Sequence, residues 1–393
     1  MASYRVLSLD GGGSWALIQV MALMKLHGEN ATGHEVLRKY DLVAATSGGS
    51  IVLGGLVEDL TLDALLDFFL SEEKRRSIFV EKELHLPATP KYRTEGKLEG
   101  LTAAFPLRGG MMMAEAAKGI VSENTGQPVH LLITGFDYDR NRGRFFRSAP
   151  ASGAEWGDGD QTDVQMVEAI HASTNAPVLY FDVPAELASE PGKRYWDGGV
   201  SGCNNPVLAG VTEAVVLGNK PDAIAALALG TGSVMLPQRL QGAEPVYLYA
   251  PGEKSSWLHD VKKMAESILD DPPDAASFLS HVMTGGRPPL PPPADSRVVR
   301  MNPLVAPVRD DAAGNWRLPD GMSAEDFEAL TNMAMDAIEQ EDVLKIQHLA
   351  ALWTEDNVCN QPVRMNWTTQ EVEIGQGRFS QAVAAWTLLR AEL

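Results

Sequence analysis

The stretch Tyr4-Arg5-Val6-Leu7-Ser8-Leu9-Asp10-Gly11-Gly12-Gly13 decides the fold. Tyr4 to Leu9 reads as a strand, and the glycines that follow break it sharply. From Ser14 to His27 the chain then carries Leu17, Ile18, Val20, Met21, Leu23 and Met24. That predicts a helix apolar nearly all round, hence a buried one. Strand, glycine turn and buried helix form the opening unit of a parallel α/β sheet. The unit recurs at Leu42-Val43-Ala44-Ala45, which enters Thr46-Ser47-Gly48-Gly49 and an apolar helix carrying Ile51, Val52, Leu53 and Leu56. His130 to Phe136 and Gly143 to Arg147 predict further strands about a turn at Tyr138 to Arg142. Ala223 to Leu229 runs apolar into Gly230-Thr231-Gly232, as expected of a strand covered on both faces.

Beyond these units the pattern is less regular. Residues 150–160 form a polar loop, and five prolines between Gly285 and Asp295 make a stiff connector. Helical periodicity returns from Ser323 to about Leu352, with Ser323 as N-cap and Asp326 at N3. After Thr354 no signature is legible.

The chain has 393 residues, 45% hydrophobic and 22% charged, which suits a globular α/β protein with a substantial core. Lys and Arg total 33 against 52 Asp and Glu, a net charge of −19. Such a balance repels phosphate backbones and argues against nucleic acid as a partner. Two cysteines, Cys203 and Cys359, form neither a disulfide framework nor a zinc site. No apolar run reaches the roughly 18 residues of a membrane-spanning helix, and Met1 to Leu9 lacks the zones of a signal peptide. A cytoplasmic protein is expected, and one acting on lipids would do so from the membrane surface.

Ser47 sits between a strand and a helix among small residues, the geometry of a nucleophile elbow, although Ala45 stands where Gly-x-Ser-x-Gly has its first glycine. A serine in such a turn also reads as a helix N-cap. The glycines at 11–13 leave backbone N–H groups free for an anionic oxygen or a phosphate. Gly11-x-Gly13-x-x-Ala16 fits a dinucleotide fingerprint, but that motif wants an acid at the end of the next strand, which ends instead in Ser47. The other functional reading is an oxyanion hole. Of eight histidines none lies in a loop that marks it out, and His171 is the best placed. Asp197, in Tyr195-Trp196-Asp197-Gly198-Gly199, is the stronger candidate base, because aromatic neighbours can raise a carboxyl pKa into a useful range. An ordinary Asp-Gly-Gly turn is its plain reading.

Together these residues resemble the patatin-like phospholipase family, acyl hydrolases that use a Ser–Asp dyad without histidine. Asp10-Gly11-Gly12-Gly13 is similar to the family's oxyanion-hole motif, Ala45 to Gly49 to its elbow, and Asp197-Gly198-Gly199 to its Asp-Gly-Gly element. Pro90-Lys91-Tyr92, Ala172 to Pro177 with Tyr180-Phe181, Asn204-Asn205-Pro206, Leu229 to Gly232 and Arg300 to Pro303 follow in family order, so the resemblance spans residues 4–340. It implies a three-layer α/β/α fold with a mostly parallel central sheet and a helical C-terminal part. The expected division is a catalytic core at 1–240, a helical and loop cover at 241–340, and a tail of unread role at 341–393. It further implies Ser47 as nucleophile and Asp197 as proton acceptor, with Gly11, Gly12, Gly13 and Gly48 around the oxyanion. Lipid acyl esters are the implied substrates, with no metal and no organic cofactor. An acyltransferase using the same acyl-enzyme and a catalytically silent lipid- or nucleotide-binding protein are the alternatives. Trp15, Ala16 and Ala45 depart from the family pattern, the first standing where a cation is usual.

Peripheral membrane contact has one candidate. Leu101, Phe105, Leu107 and Met111 to Met113 are apolar, with Lys91, Arg93, Lys97 and Arg108 as a basic rim. Core beneath a loop is the plainer reading of the same residues.

Overall fold

Alternation along single strands builds the layers. In β1 (Tyr4–Leu9), Leu7 and Leu9 face one apolar cluster, while Val6 faces another on the opposite side of the sheet. The same split divides Val43 and Ala45 from Leu42 and Ala44 in β2 (Leu42–Ala45). Both faces are therefore covered, as in a three-layer α/β/α protein. A computed structural model of the chain describes residues 3–83, 89–150, 162–239, 243–251, 272–288, 293–309 and 315–391. Most of the expected polar loop at 150–160 and the centre of the proline connector lie outside the described residues.

The remaining strands of the central sheet are β3 (His130–Asp137), β4 (Arg142–Arg147), β5 (Ala185–Leu187), β6 (Glu190–Asp197), β7 (Ile224–Leu229) and β8 (Val298–Met301). The hydrogen-bonded path is β5-β6-β3-β2-β1-β7-β8, with β4 joined to β3. The pairs β3·β2, β2·β1, β1·β7 and β7·β8 are parallel, and those involving β4, β5 and β6 are antiparallel. The sheet is thus mostly parallel, as expected.

One register detail positions the site. β2 pairs with β3 up to Ala45 opposite Ile133, and β6 pairs with β3 from Gly135, opposite Asp197. β4 occupies the other edge of β3 from Leu132 to Asp137. A strand has two edges, so β6 enters along the edge that β2 has just left. The end of β6 therefore abuts the end of β2, and Asp197 meets the turn that holds Ser47.

On the face of Leu7 and Leu9 lie α1 (Leu17–His27), α2 (Gly48–Val57), α3 (Lys97–Ala104) and α4 (Met166–Ser173), while α5 (Val207–Val216) covers the face of Val6. A 3₁₀ turn at Gly13–Ala16 leads into α1. Later in the chain come α6 (Ala324–Asn332), α7 (Gln340–Thr354) and α8 (Phe379–Ala391). Ser323 caps α6 as expected, its Oγ accepting the Asp326 N–H at 3.0 Å. The periodicity from Ser323 to Leu352 is nevertheless not one helix: Met333 to Glu339 form an irregular strap. The strap's backbone is taken by other groups. Met335 O accepts the Ser14 N–H at 3.1 Å, and Ala334 O accepts Trp15 Nε1 at 3.2 Å. The unread tail supplies α8, whose Trp386 is fully buried and stacks on Tyr40 with ring centroids 6.0 Å apart. Among the described residues no helix is long and apolar enough to cross a membrane.

Candidate functional site

Ser47 occupies φ 48°, ψ −123°, between β2 and the first residue of α2. A non-glycine residue held there costs roughly 1–3 kcal/mol, so its surroundings must fix it. They do so at several points. The Ser47 N–H donates to Ser173 Oγ at 2.8 Å, and Ser50 Oγ donates to the Ser47 carbonyl at 2.6 Å. Thr46 Oγ1 donates to Cys203 O at 2.6 Å and lies 2.7 Å from Thr134 Oγ1. Small residues are required on the helix side. A Cβ on Gly48 would fall 2.5 Å from the Gly13 carbonyl oxygen, and one on Gly49 would fall 2.3 Å from that of Leu9. The Ala45 methyl, absent from the family pattern, is fully buried in the apolar cluster and leaves the turn intact.

The glycine loop lies directly beside the elbow. Gly13 takes φ +55°. Asp10 anchors the loop through a buried ion pair, Arg300 Nη2 to Asp10 Oδ2 at 2.6 Å. Burial still pushes the Asp10 carboxyl up to about 6, against the opposing pull of Arg300. The Asp10 carbonyl accepts from Gly49 N at 3.1 Å and from Gln19 Nε2 at 2.8 Å, and Thr231 Oγ1 donates to Gly11 O at 2.7 Å. Gly11 leaves the expected set of oxyanion donors, because its own N–H is spent on Asn204 O at 2.8 Å. Among the described residues the N–H groups of Gly12, Gly13 and Gly48 have no protein partner.

Asp197 ends β6 with its N–H on Asn175 O at 3.0 Å and its Oδ1 accepting the Gly199 N–H at 2.8 Å. Gly198 packs against Thr134, where a Cβ would fall 2.0 Å from Oγ1. The Ser47 hydroxyl lies close enough to the Asp197 carboxylate to favour its charged form. Burial pushes this carboxyl up to about 6, opposed by the nearby Ser47 hydroxyl, the Gly199 N–H and the charge of Lys97. Asp197 is 4% exposed and Ser47 7%. His171 is buried on α4, and burial, then the charge of Lys97, holds its ring well below the usual imidazole range.

Ser47, Gly48 and Gly13 line a cavity of about 20 Å³ with Phe79, Tyr180, Phe181 and Met335. That admits about one water, given that roughly 10–15 Å³ of this measure holds a single one. Met335 brings the strap to the site. Asp336 fastens it, accepting Tyr92 Oη at 2.6 Å and Lys91 Nζ at 2.8 Å. Arg75 Nε donates to Ile338 O at 2.9 Å. A larger cleft of about 960 Å³, lined by Thr94, Leu98, His171, Pro184 and Arg194, does not include Ser47 or Asp197. Among the described residues no group of three His, Cys, Asp or Glu side chains is placed to share a metal ion.

The apolar stretch at 101–113 divides. Leu101, Phe105 and Met113 are core, while Leu107, Met111 and Met112 are exposed. Lys97 is not part of a basic rim: it is completely buried. Sequence reasoning also missed Arg300, Ser173, Asn175 and the strap. The first three lie in motifs that were legible, but motif order gives no contacts.

Residues 7–211 match the family model described as patatin-like phospholipase. Over half the chain is covered, and the protein belongs to the patatin-like phospholipase family, whose members are lipid acyl hydrolases. The segments at 229–232 and 300–303 lie outside that match. Among solved structures the chain is similar to VipD from Legionella pneumophila, at 9% identity and a TM-score of 0.33, over 88% of this chain and 66% of that one. No curated protein matches.

Proposed function

We propose that the protein hydrolyses fatty-acyl esters of lipids, phospholipids among them, through Ser47 and Asp197. The observation that carries this reading is Ser47 held at a strained turn that β6 brings to the buried Asp197 carboxylate, beside three backbone N–H groups without a partner among the described residues. Asp197 accepts the Ser47 proton as Oγ attacks the ester carbonyl. Gly12, Gly13 and Gly48 N–H groups stabilise the tetrahedral oxyanion. Collapse expels the alcohol, which takes the proton from Asp197 and leaves an acyl-enzyme. Water, deprotonated by Asp197, then attacks the acyl carbonyl and releases the fatty acid with Ser47 restored. Leu107, Met111 and Met112 are the surface this reading assigns to lipid contact.

The test is a hydrolysis screen across headgroups and chain lengths with fluorophosphonate labelling, comparing wild type with Ser47→Ala. Loss of both signals in a folded variant is expected. Undiminished labelling would remove Ser47 from the reaction.

A further inference from the structure

Lys97 is wholly buried, yet among the described residues it forms no ion pair. Its Nζ donates to His171 O at 3.0 Å and to Asn175 Oδ1 at 2.8 Å, and lies 4.1 Å from the centroid of the Phe181 ring. Burying a lone ammonium is expensive, and an apolar side chain of similar length would fill the space at less cost. Burial holds the Lys97 ammonium well below the usual lysine range, and the one charge opposing that is the Asp197 carboxylate. Asn175 links the two residues: its side-chain Oδ1 accepts from the Lys97 Nζ–H, and its carbonyl accepts the Asp197 N–H. Asn175 is itself fixed by Nδ2 donating to Val183 O at 2.8 Å.

We propose that Lys97 is a positioning residue for Asp197, a buried amine clamped by His171 O, Asn175 and Phe181 that fixes the Asp197 backbone through Asn175 and, when protonated, favours the ionised carboxylate. The proposal rests on the Ser47–Asp197 reading and deepens it. Other charged groups around the pair are accounted for. His171 on α4 is disfavoured as a cation beside Lys97. On β6, Arg194 pairs with Asp139 and the Tyr195 hydroxyl donates to Glu190, while Asp137 on β3 accepts the Arg140 N–H.

An opposite charge nearby lowers a carboxyl pKa by about 1–3 units. The acid limb of kcat/KM on a short soluble ester should therefore rise by about one unit or more in Lys97→Met and Lys97→Gln. Glutamine retains hydrogen-bonding capacity without charge, so a purely structural lysine would leave its limb at the wild-type pH. A folded Lys97→Gln with an unshifted limb overturns the proposal. Should neither variant fold, the linkage can be read in reverse, using ¹³C-labelled lysine and NMR. Asp197→Asn should move the Lys97 titration further down, and an unmoved titration overturns the proposal equally. That readout needs no turnover, so failure of the Ser47 reading, seen as undiminished labelling of Ser47→Ala, is separately visible.

Discussion

The backbone N–H of Ser14 donates to the carbonyl of Met335 at 3.1 Å, joining the glycine loop to the strap from the far end of the chain. Trp15, standing where the family usually carries a cation, adds its indole N–H to Ala334 O at 3.2 Å. With Met335 in the wall, the cavity beside Ser47 measures about 20 Å³, room for about one water. On the proposed reading, a lipid ester reaches Ser47 only if that wall moves.

Asp336→Ala is accordingly expected to raise the rate of serine labelling by a bulky fluorophosphonate several-fold, because both Tyr92 and Lys91 lose their shared acceptor. A small probe should gain less. Equal or slower labelling by both probes in a folded variant would show that the strap is not the barrier.

The strap also marks where sequence reading ended. Met333 to Ile338 contains neither glycine nor proline, and its residues favour continuing a helix. The break is tertiary: N–H donors from Ser14 and Trp15 and a buried acceptor role for Asp336 compete with the helical bonds. The parallel sheet was legible because its strands are short and largely apolar, and β1, β2 and β7 run into glycine-containing turns. Ser47 and Asp197 were legible as candidate residues, but their approach depends on β6 taking the β3 edge vacated by β2, a pairing no local pattern encodes. Lys97 looked like surface charge, since burial of a lysine leaves no sequence trace.

Asp197→Asn should reduce turnover by about 10²–10⁴-fold, the usual worth of general-base help. His171→Ala should lose stability through its cavity while turnover stays within a few-fold and the pH profile is unmoved. A folded His171→Ala that is inactive, beside an active Asp197→Asn, would reassign the base.

Wild-type activity should fall as pH drops through about 6, where Asp197 takes up its proton. Stability should move the other way. A carboxyl with an unfolded pKa near 3.8 and a folded value near 6 favours the native state below the lower value, and that contribution is lost as pH rises through the upper one. The shift is worth on the order of 3 kcal/mol, part of which Asp197→Asn forfeits because Lys97 loses its counter-charge. The variant should thus be about 1–2 kcal/mol more stable than wild type at pH 8 and indistinguishable near pH 4. Denaturant melts at the two pH values measure this, and a variant less stable at pH 8 would contradict the burial cost.

Arg300→Leu tests the anchor of the glycine loop. It removes the partner of Asp10, a carboxylate already short of one bond, since among the described residues Asp10 Oδ1 has no hydrogen-bond partner. Stranding one member of a buried pair costs roughly 3–5 kcal/mol. Two effects should accompany the loss. The Asp10 carboxyl should titrate above its present value of about 6, because the charge that opposes burial is gone. Activity should fall even at temperatures where the variant is folded, because Gly12 and Gly13, two and three residues after Asp10, lose their fixed orientation toward Ser47. Arg300→Lys should restore charge but only part of the activity, since an ammonium cannot reproduce the guanidinium fork. The double variant Asp10→Asn with Arg300→Leu separates the two causes: it removes the stranded charge without rebuilding the anchor. Recovery of stability without recovery of turnover is the expected result, and full recovery of turnover would show that the ion pair does not orient the loop.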